Sequence, residues 1–258
     1  MRVNYHTHTY RCKHASGREE DYVLNAIEKN LSVLGFSDHG PFKDYDYSLR
    51  MDFNELEEYI LTINNLKEKY DDKITIKSGL EIEYLPDKIP YYKELLKEYK
   101  LDYLVLGQHF YKNNNNKFIN TYLIEDSSEF LNYAKVIIEG MKTGLFKFLA
   151  HPDVIFINNV VWDNNCNKFC DLIVNSAKEN DFILEFNANG MRKGKKDFYD
   201  GSRYAYPHKK FWQRVAEENI KVIINSDCHS PEQIWDNSMD LAYKEAKDLG
   251  LNIITEIF

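Results

Sequence analysis

The chain has 258 residues, 43% hydrophobic and 29% charged, with 19 Tyr, 15 Phe, four Cys and a net charge of −8. This length suits a single α/β domain over residues 1–258 and the apolar share a sizeable core, while the acidic balance argues against a general nucleic-acid partner, whose phosphates need a basic face. The few cysteines fit a reducing compartment rather than a disulfide framework, and with no leader pattern and no apolar run of membrane-spanning length the expected location is the cytoplasm, without a membrane partner.

Seven short apolar runs recur along the chain, and each meets a residue capable of chemistry. Arg2 to Tyr5 ends at His6 and His8, which project to the same side because alternate strand residues share a face. Leu31 to Phe36 ends at Ser37-Asp38-His39-Gly40, and Ile74 to Ile82 carries Glu81. Tyr103 to Leu106 ends at Gln108-His109, and Phe146 to Ala150 at His151-Pro152-Asp153. Phe182 to Phe186 contains Glu185 and ends at Asn187 and Asn189; Lys221 to Ile224 ends at Ser226-Asp227-Cys228-His229. Helical spacing fills the gaps at Glu19 to Asn30, Asn54 to Tyr70, Tyr91 to Tyr99, Ser127 to Thr143, Asn164 to Asn180 and His208 to Asn219.

Alternating strand and helix implies parallel βαβ units with right-handed crossovers, and seven of them suggest a closed or nearly closed barrel. The final run, Asn252 to Ile257, fits either an eighth strand or a tail packed on the surface. In such architectures chemistry gathers at the strands' carboxyl ends. Six of the eight histidines lie there, His14 falls in the loop after the first run, and only His208 lies away from a strand end. The strand ends are therefore expected to converge on one metal cluster, since imidazole is the commonest metal-ligating side chain.

Asn187 to Pro207 is long for a βα loop, which usually takes about 2 to 6 residues. It carries Arg192, Lys193, Lys195, Lys196 and Arg203, with Lys209 and Lys210 just beyond, and reads as an anion-binding arm because the guanidinium fork matches phosphate oxygens. Asn113 to Asn116 reads as a turn tip. Cys166 and Cys170 lie four apart with no second Cys or His pair beside them and read as small packing residues. Gly-rich phosphate loops, a Gly-x-Ser-x-Gly elbow and internal repeats are absent from the sequence.

Sites mixing histidine with carboxylate suit Zn, Fe or Mn. The nine candidates, His6, His8, His14, His39, Glu81, His109, His151, Asp227 and His229, exceed one ion's needs and fit two to three divalent transition metal ions. Clustered metals acidify water and stabilise both oxygens of an in-line displacement, services that phosphate ester hydrolysis uses together.

The series His6-Thr7-His8, His14, Asp38-His39-Gly40, Gly79-Leu80-Glu81, His109, His151-Pro152 and Asp227-Cys228-His229 resembles the polymerase-and-histidinol-phosphatase (PHP) superfamily of trinuclear metal phosphoesterases. Within it, Cys12-Lys13-His14-Ala15-Ser16-Gly17, Gly190-Met191-Arg192-Lys193 and Tyr206-Pro207 are similar to the monofunctional histidinol-phosphate phosphatases. The resemblance implies a distorted seven-stranded (β/α) barrel. It implies one metal on His6, His8, Glu81 and Asp227, a second on His14, His39 and His229, and a third on Glu81, His109 and His151. It also implies that a metal-bridging hydroxide hydrolyses a small phosphorylated substrate, L-histidinol phosphate, to L-histidinol and phosphate in histidine biosynthesis. Arg192, Arg203 and Arg18 are the candidate phosphate contacts and His208 the candidate acid; Asp153, Glu83, Glu185 and Asn189 are available to read the amine and imidazole or to serve structure. Other phosphatases of the superfamily (protein-tyrosine, sugar or nucleotide), a nuclease, and a non-catalytic metal-binding module stay open at this point.

Overall fold

The computed structural model describes every residue except 45–48 and 114–116, so most of the Asn113 to Asn116 tip lies outside the described residues. In chain order the elements are β1 (Val3–Asn4), α1 (Glu19–Glu28), β2 (Val33–Phe36), α2 (Leu56–Lys69), β3 (Thr75–Ile82), α3 (Ile89–Lys97) and β4 (Tyr103–Leu106). A hairpin of β5 (Phe110–Lys112) and β6 (Phe118–Asn120) follows, then α4 (Glu129–Lys142), β7 (Phe148–Leu149), α5 (Asn164–Glu179) and β8 (Ile183–Asn187). A short α6 (Asn189–Arg192), a second hairpin of β9 (Lys196–Phe198) and β10 (Gly201–Arg203), α7 (Lys209–Glu217), β11 (Lys221–Asn225), α8 (Asn237–Asp248) and β12 (Asn252–Ile254) complete the chain.

Strands buried on both faces read as nearly continuous apolar runs, and β4 is buried at all four positions. All seven predicted runs become strands of one sheet, ordered β1-β2-β3-β4-β7-β8-β11-β12 and parallel at every pairing. The expected distorted barrel is the fold observed, with the open question about the last run answered. Asn252, Ile253 and Ile254 pair with Lys221, Val222 and Ile223, making an eighth strand on the amino-terminal part of β11.

The carboxyl end of β11 turns instead to β1. The Tyr5 N–H donates to Asn225 Oδ1 at 2.8 Å, the Ser226 N–H to Asn4 Oδ1 at 2.7 Å and the His8 N–H to Cys228 O at 3.0 Å. The two ends of the curled sheet thus meet at the rim where the histidines sit. At the opposite end the tail after β12 packs on the interior: Phe258 lies 6.2 Å from the ring of Tyr5 and 5.9 Å from that of Tyr103, and Ile257 is buried with Val3, Val105 and Ile223.

Helix α8 was not foreseen, because its buried face is built from Met239, Ala242 and Ala246, a weak apolar signal. Asp236 caps it, accepting from the Ser238 and Met239 N–H groups at 3.0 and 3.1 Å. No helix among the described residues is long and apolar enough to cross a membrane.

Tyr103 fills the centre of the barrel, its hydroxyl donating to Tyr5 O at 2.7 Å while also 3.0 Å from Phe36 O. It fits because Gly79 has no side chain: a Cβ there would stand 2.6 Å from the Tyr103 ring. Gly79→Ala is therefore expected to cost about 1–3 kcal/mol, as overpacking does, and to lower the urea midpoint at unchanged m-value.

Candidate metal centre

The nine donors come from separate strand ends and converge. His6 and His8 follow β1, with Nε2 atoms 3.0 Å apart; His14 from the next loop meets His229 after β11, again at 3.0 Å between Nε2 atoms. His109 after β4 and His151 after β7 approach to 3.3 Å. Glu81 stands in the middle: Oε1 lies 2.9 Å from His151 Nε2 and 3.3 Å from His109 Nε2, while Oε2 lies 3.0 Å from His39 Nδ1, 3.3 Å from His6 Nε2 and 3.5 Å from His8 Nε2. Asp227 Oδ1 is 3.2 Å from His8 Nε2 and 3.7 Å from His6 Nε2. Gly107 admits the central carboxylate, because a Cβ there would overlap Glu81 Oε1.

These residues fit metal ions. Ligands at about 2.0–2.2 Å around a tetrahedral ion stand roughly 3.3–3.6 Å apart, close to the donor spacings observed. Glu81 Oε2 is buried and accepts no hydrogen bond although three ring nitrogens surround it, an orphan that a cation would satisfy. Four rings are locked from behind. His6 Nδ1 lies 2.7 Å from Glu185 Oε1 and His109 Nδ1 2.9 Å from Glu83 Oε1; His14 Nδ1 lies 2.8 Å from Cys12 O and His229 Nδ1 3.2 Å from Asp227 O. A carboxylate or carbonyl only accepts, so each Nδ1 carries a proton, which leaves Nε2 as the atom each ring would turn to a metal.

Burial alone would raise the carboxyls of Glu81 and Asp227. His109, His6 and His39 around the first, and His6, His8 and His229 around the second, hold both well below the usual carboxylate range. Burial lowers His6 and His109, but the carboxylates more than reverse this, Glu185, Asp227 and Glu81 lifting His6 well up and Glu81 and Glu83 bringing His109 to about 10. His229 goes the other way, to about 3, through burial and then the charge of His8. Cys12 and Cys228, beside the ligands, are free and pushed up to about 12, chiefly by burial, so both stay neutral thiols near pH 7.

Three of the four side chains available for substrate or structure serve structure. Glu185 holds His6 and also accepts from the His151 N–H at 2.9 Å, Asn187 Nδ2 at 2.8 Å and Asn225 Nδ2 at 3.0 Å. Glu83 holds His109 and takes a two-pronged pair from Arg50 at 3.0 and 3.1 Å. Asp153 accepts from the His208 N–H and from Trp212 Nε1 at 3.0 Å. Asn189 alone faces the site, its Nδ2 donating to Asp227 Oδ2 at 3.2 Å.

A cavity of about 660 Å³ opens over the donors, lined further by Arg192, Lys193, Arg50, Tyr122, Phe110 and Tyr206. The guanidinium of Arg192 is engaged by Asp236 Oδ2 at 2.7 Å, Ser226 Oγ at 2.8 Å and Ser226 O at 3.1 Å, whereas Lys193 has no ion pair among the described residues and lies 5.9 Å over the Tyr206 ring. Arg203 and His208 line a separate cavity of about 1010 Å³. Arg203 binds Asp200 Oδ1 at 2.8 Å and the arm's carbonyls of Tyr204 and Ala205 at 3.0 and 3.1 Å; His208, 2% exposed, binds Asp200 Oδ2 at 2.9 Å. Arg18 is exposed at the start of α1. None of these three lines the cavity over the nine donors, and Arg203 is spent on holding the arm's own hairpin. Arg50 and Tyr122 escaped notice because neither lies near an apolar run's end.

A parallel α/β barrel whose carboxyl rim gathers nine histidine and carboxylate donors has the form of a metal-binding barrel. Residues 4–189 match the model of the PHP domain, and the chain belongs to that family. It is 26% identical to the Deinococcus radiodurans protein named "Probable histidinol-phosphatase", over 97% of this chain and 94% of that one. It is 24% identical to the histidinol-phosphatase of Bacillus subtilis, over 87% and 92%. The histidinol phosphate phosphatase of Lactococcus lactis, solved with Zn, L-histidinol and phosphate, superposes with a TM-score of 0.72 at 17% identity, covering 99% of this chain and 96% of that one.

Two outcomes are expected of the support around the histidines. Glu185→Gln removes the carboxylate behind His6 and should weaken Zn binding about 10- to 100-fold in chelator competition. Because the raised His6 and His109 imidazoles must lose a proton before they can coordinate, metal loading at pH 7.5 should release at least two protons, and apparent affinity should rise with pH toward about 10. Calorimetry in buffers of differing ionisation enthalpy measures the proton count.

Proposed function

We propose that this protein is a metal-dependent phosphomonoesterase that hydrolyses L-histidinol phosphate to L-histidinol and phosphate. The observation that carries the chemistry is the nine-donor cluster at the floor of one cavity with cationic side chains at its wall. The substrate rests on similarity over almost the whole chain to proteins named for that ester.

In this reading the ligand sets are His6, His8, Glu81 and Asp227; His14, His39 and His229; and Glu81, His109 and His151. Donor atoms of His6, His8 and Glu81 lie within 4.8 Å of one another, as do those of His14, His39 and His229; His39, Glu81 and His109 form a further such group. The two oxygens of Glu81 face different imidazole sets, the arrangement a bridging carboxylate needs. Divalent ions held there would supply Lewis acidity, acidifying water and screening charge on the attacking and leaving oxygens of an in-line displacement.

The chain's own part is to hold, orient and neutralise. The cavity lining contains no Ser, Thr or Cys among the described residues, so no aliphatic hydroxyl or thiol stands ready to take the phosphoryl group. Of the wall's cations, Arg50 is committed to Glu83 and Arg192 to Asp236 and Ser226, so Lys193 is the one that neutralises the phosphate oxygens, the larger part of phosphoryl-transfer catalysis. Arg192 instead ties α6 to Ser226 beside Asp227.

Phosphate release from L-histidinol phosphate by protein reconstituted with Zn or Mn, run beside p-nitrophenyl phosphate and a phosphotyrosine peptide, tests the substrate. Strong preference for histidinol phosphate is expected; equal or better turnover of another ester keeps the metal chemistry and discards this substrate. Chelation should abolish activity and metal should restore it. Lys193→Ala should cost roughly 10- to 100-fold in kcat/KM for every phosphate ester, the weight of a charge-assisted hydrogen bond, with bound metal unchanged.

A further inference from the structure

We propose that Tyr122 reads the leaving-group end of the substrate, its ring stacking on a flat heteroaromatic group and its hydroxyl meeting a polar atom of that group. The inference rests on the phosphomonoesterase reading and deepens it by naming a specificity determinant.

Tyr122 sits in the turn after β6, and the turn is fastened to the strand end that presents His109. The Thr121 N–H donates to His109 O at 2.9 Å and Thr121 Oγ1 to Gln108 O at 2.9 Å, while Thr121 O accepts from Asn158 Nδ2 at 2.7 Å. The Tyr122 N–H itself donates to Asn120 Oδ1 at 2.9 Å. Nothing in catalysis by the nine donors requires this fastening, and it fixes where an aromatic ring stands relative to the metal ligands. The ring lies 13° from parallel to His109, centroids 6.1 Å apart, and lines the cavity.

Most large aromatic side chains here are buried, yet Tyr122 remains 38% exposed, and its hydroxyl has no hydrogen-bond partner among the described residues. A rigid ring with an unspent hydroxyl at a cavity wall is what recognition of a flat polar group uses, because it offers contact area at little entropic cost. The cavity is polarised to match. Phe110 and Leu49 add apolar surface there, with the Arg50 guanidinium 5.4 Å over the Phe110 ring and committed to Glu83, whereas Arg192 and Asn189 are tied to Ser226 and Asp227, beside which the phosphate would lie. A substrate spanning the two ends carries a phosphate at one and a small aromatic ring at the other. Imidazole meets both demands, with a π-face for the ring and a ring nitrogen for the hydroxyl.

The test compares L-histidinol phosphate with O-phosphoethanolamine, the same aminoalkyl phosphate without the ring. Tyr122→Ala should lower kcat/KM for histidinol phosphate about tenfold or more, chiefly through KM, while leaving phosphoethanolamine within twofold and bound metal unchanged. Tyr122→Trp should keep the stacking and most of the affinity; Tyr122→Phe isolates the hydroxyl. Equal losses for both esters, or no loss for either, would overturn the proposal. Should the wild-type protein not prefer histidinol phosphate, the substrate reading fails by itself, and p-nitrophenyl phosphate then decides the inference: the aromatic ester must suffer in Tyr122→Ala while phosphoethanolamine does not.

Discussion

One carboxylate organises the site. Glu81 is buried in the third strand with its two oxygens facing different imidazole sets, and burial of an unpaired charge would be prohibitive. The histidines around it therefore offset part of its desolvation, and two of them are in turn aimed by a carboxylate behind the ring, His6 by Glu185 and His109 by Glu83. The glycine at 107 exists in this scheme to make room, since any side chain there would strike the carboxylate. The barrel supplies what the carboxylate needs, strand ends from five directions at one rim, and the curl of the sheet is what brings the first and seventh strands near enough to complete the ring.

The supporting charges form a second layer with its own balance. Glu83 would be a buried anion beside another buried anion, Glu81, were it not for the two-pronged pair with Arg50. Arg50 also donates to Gly40 O at 2.8 Å, so the same guanidinium fastens the segment after His39. Removing one partner of such a buried pair typically costs about 3–5 kcal/mol, which makes this layer as restrictive for the fold as for the metal ligands. Two ligands, His151 and Asp227, also sit at φ of +30° and +48°, backbone conformations that side chains rarely adopt and that surrounding structure must hold.

The strand ends were legible because each chemistry-bearing residue follows an apolar run, and a strand's direction puts that residue at a known rim. Which carboxylate ligates and which supports was not legible from spacing. Glu81 lies in β3 and Glu83 just past its end, two apart, so periodicity treats them alike; only their partners separate them, imidazoles on both oxygens of Glu81 and Arg50 on Glu83. Glu185 lies on a strand that contributes no ligand, and its role depends on His6, 179 residues away. For Arg192 the charge pointed to an anion, yet Asp236 and Ser226 claim its donors from 44 and 34 residues away. Helix α8 hid behind alanines, and β12 behind a sequence that would pack equally well as a tail.

The shared edge of β11 sets the order in which this molecule can come together. Local units β2 to β4 can pair as they are made, bringing His39, Glu81 and His109 into reach early. His6 and His8, though first in the chain, wait for Cys228 and Asp227 some 220 residues later, an exceptionally long loop to close. A nascent chain therefore holds only a fragment of the donor set until its final fifth has emerged. The complete set of nine donors is thus a sign of completed folding, because a chain cut short before Asp227, or misregistered at the contact that closes the barrel, cannot assemble it.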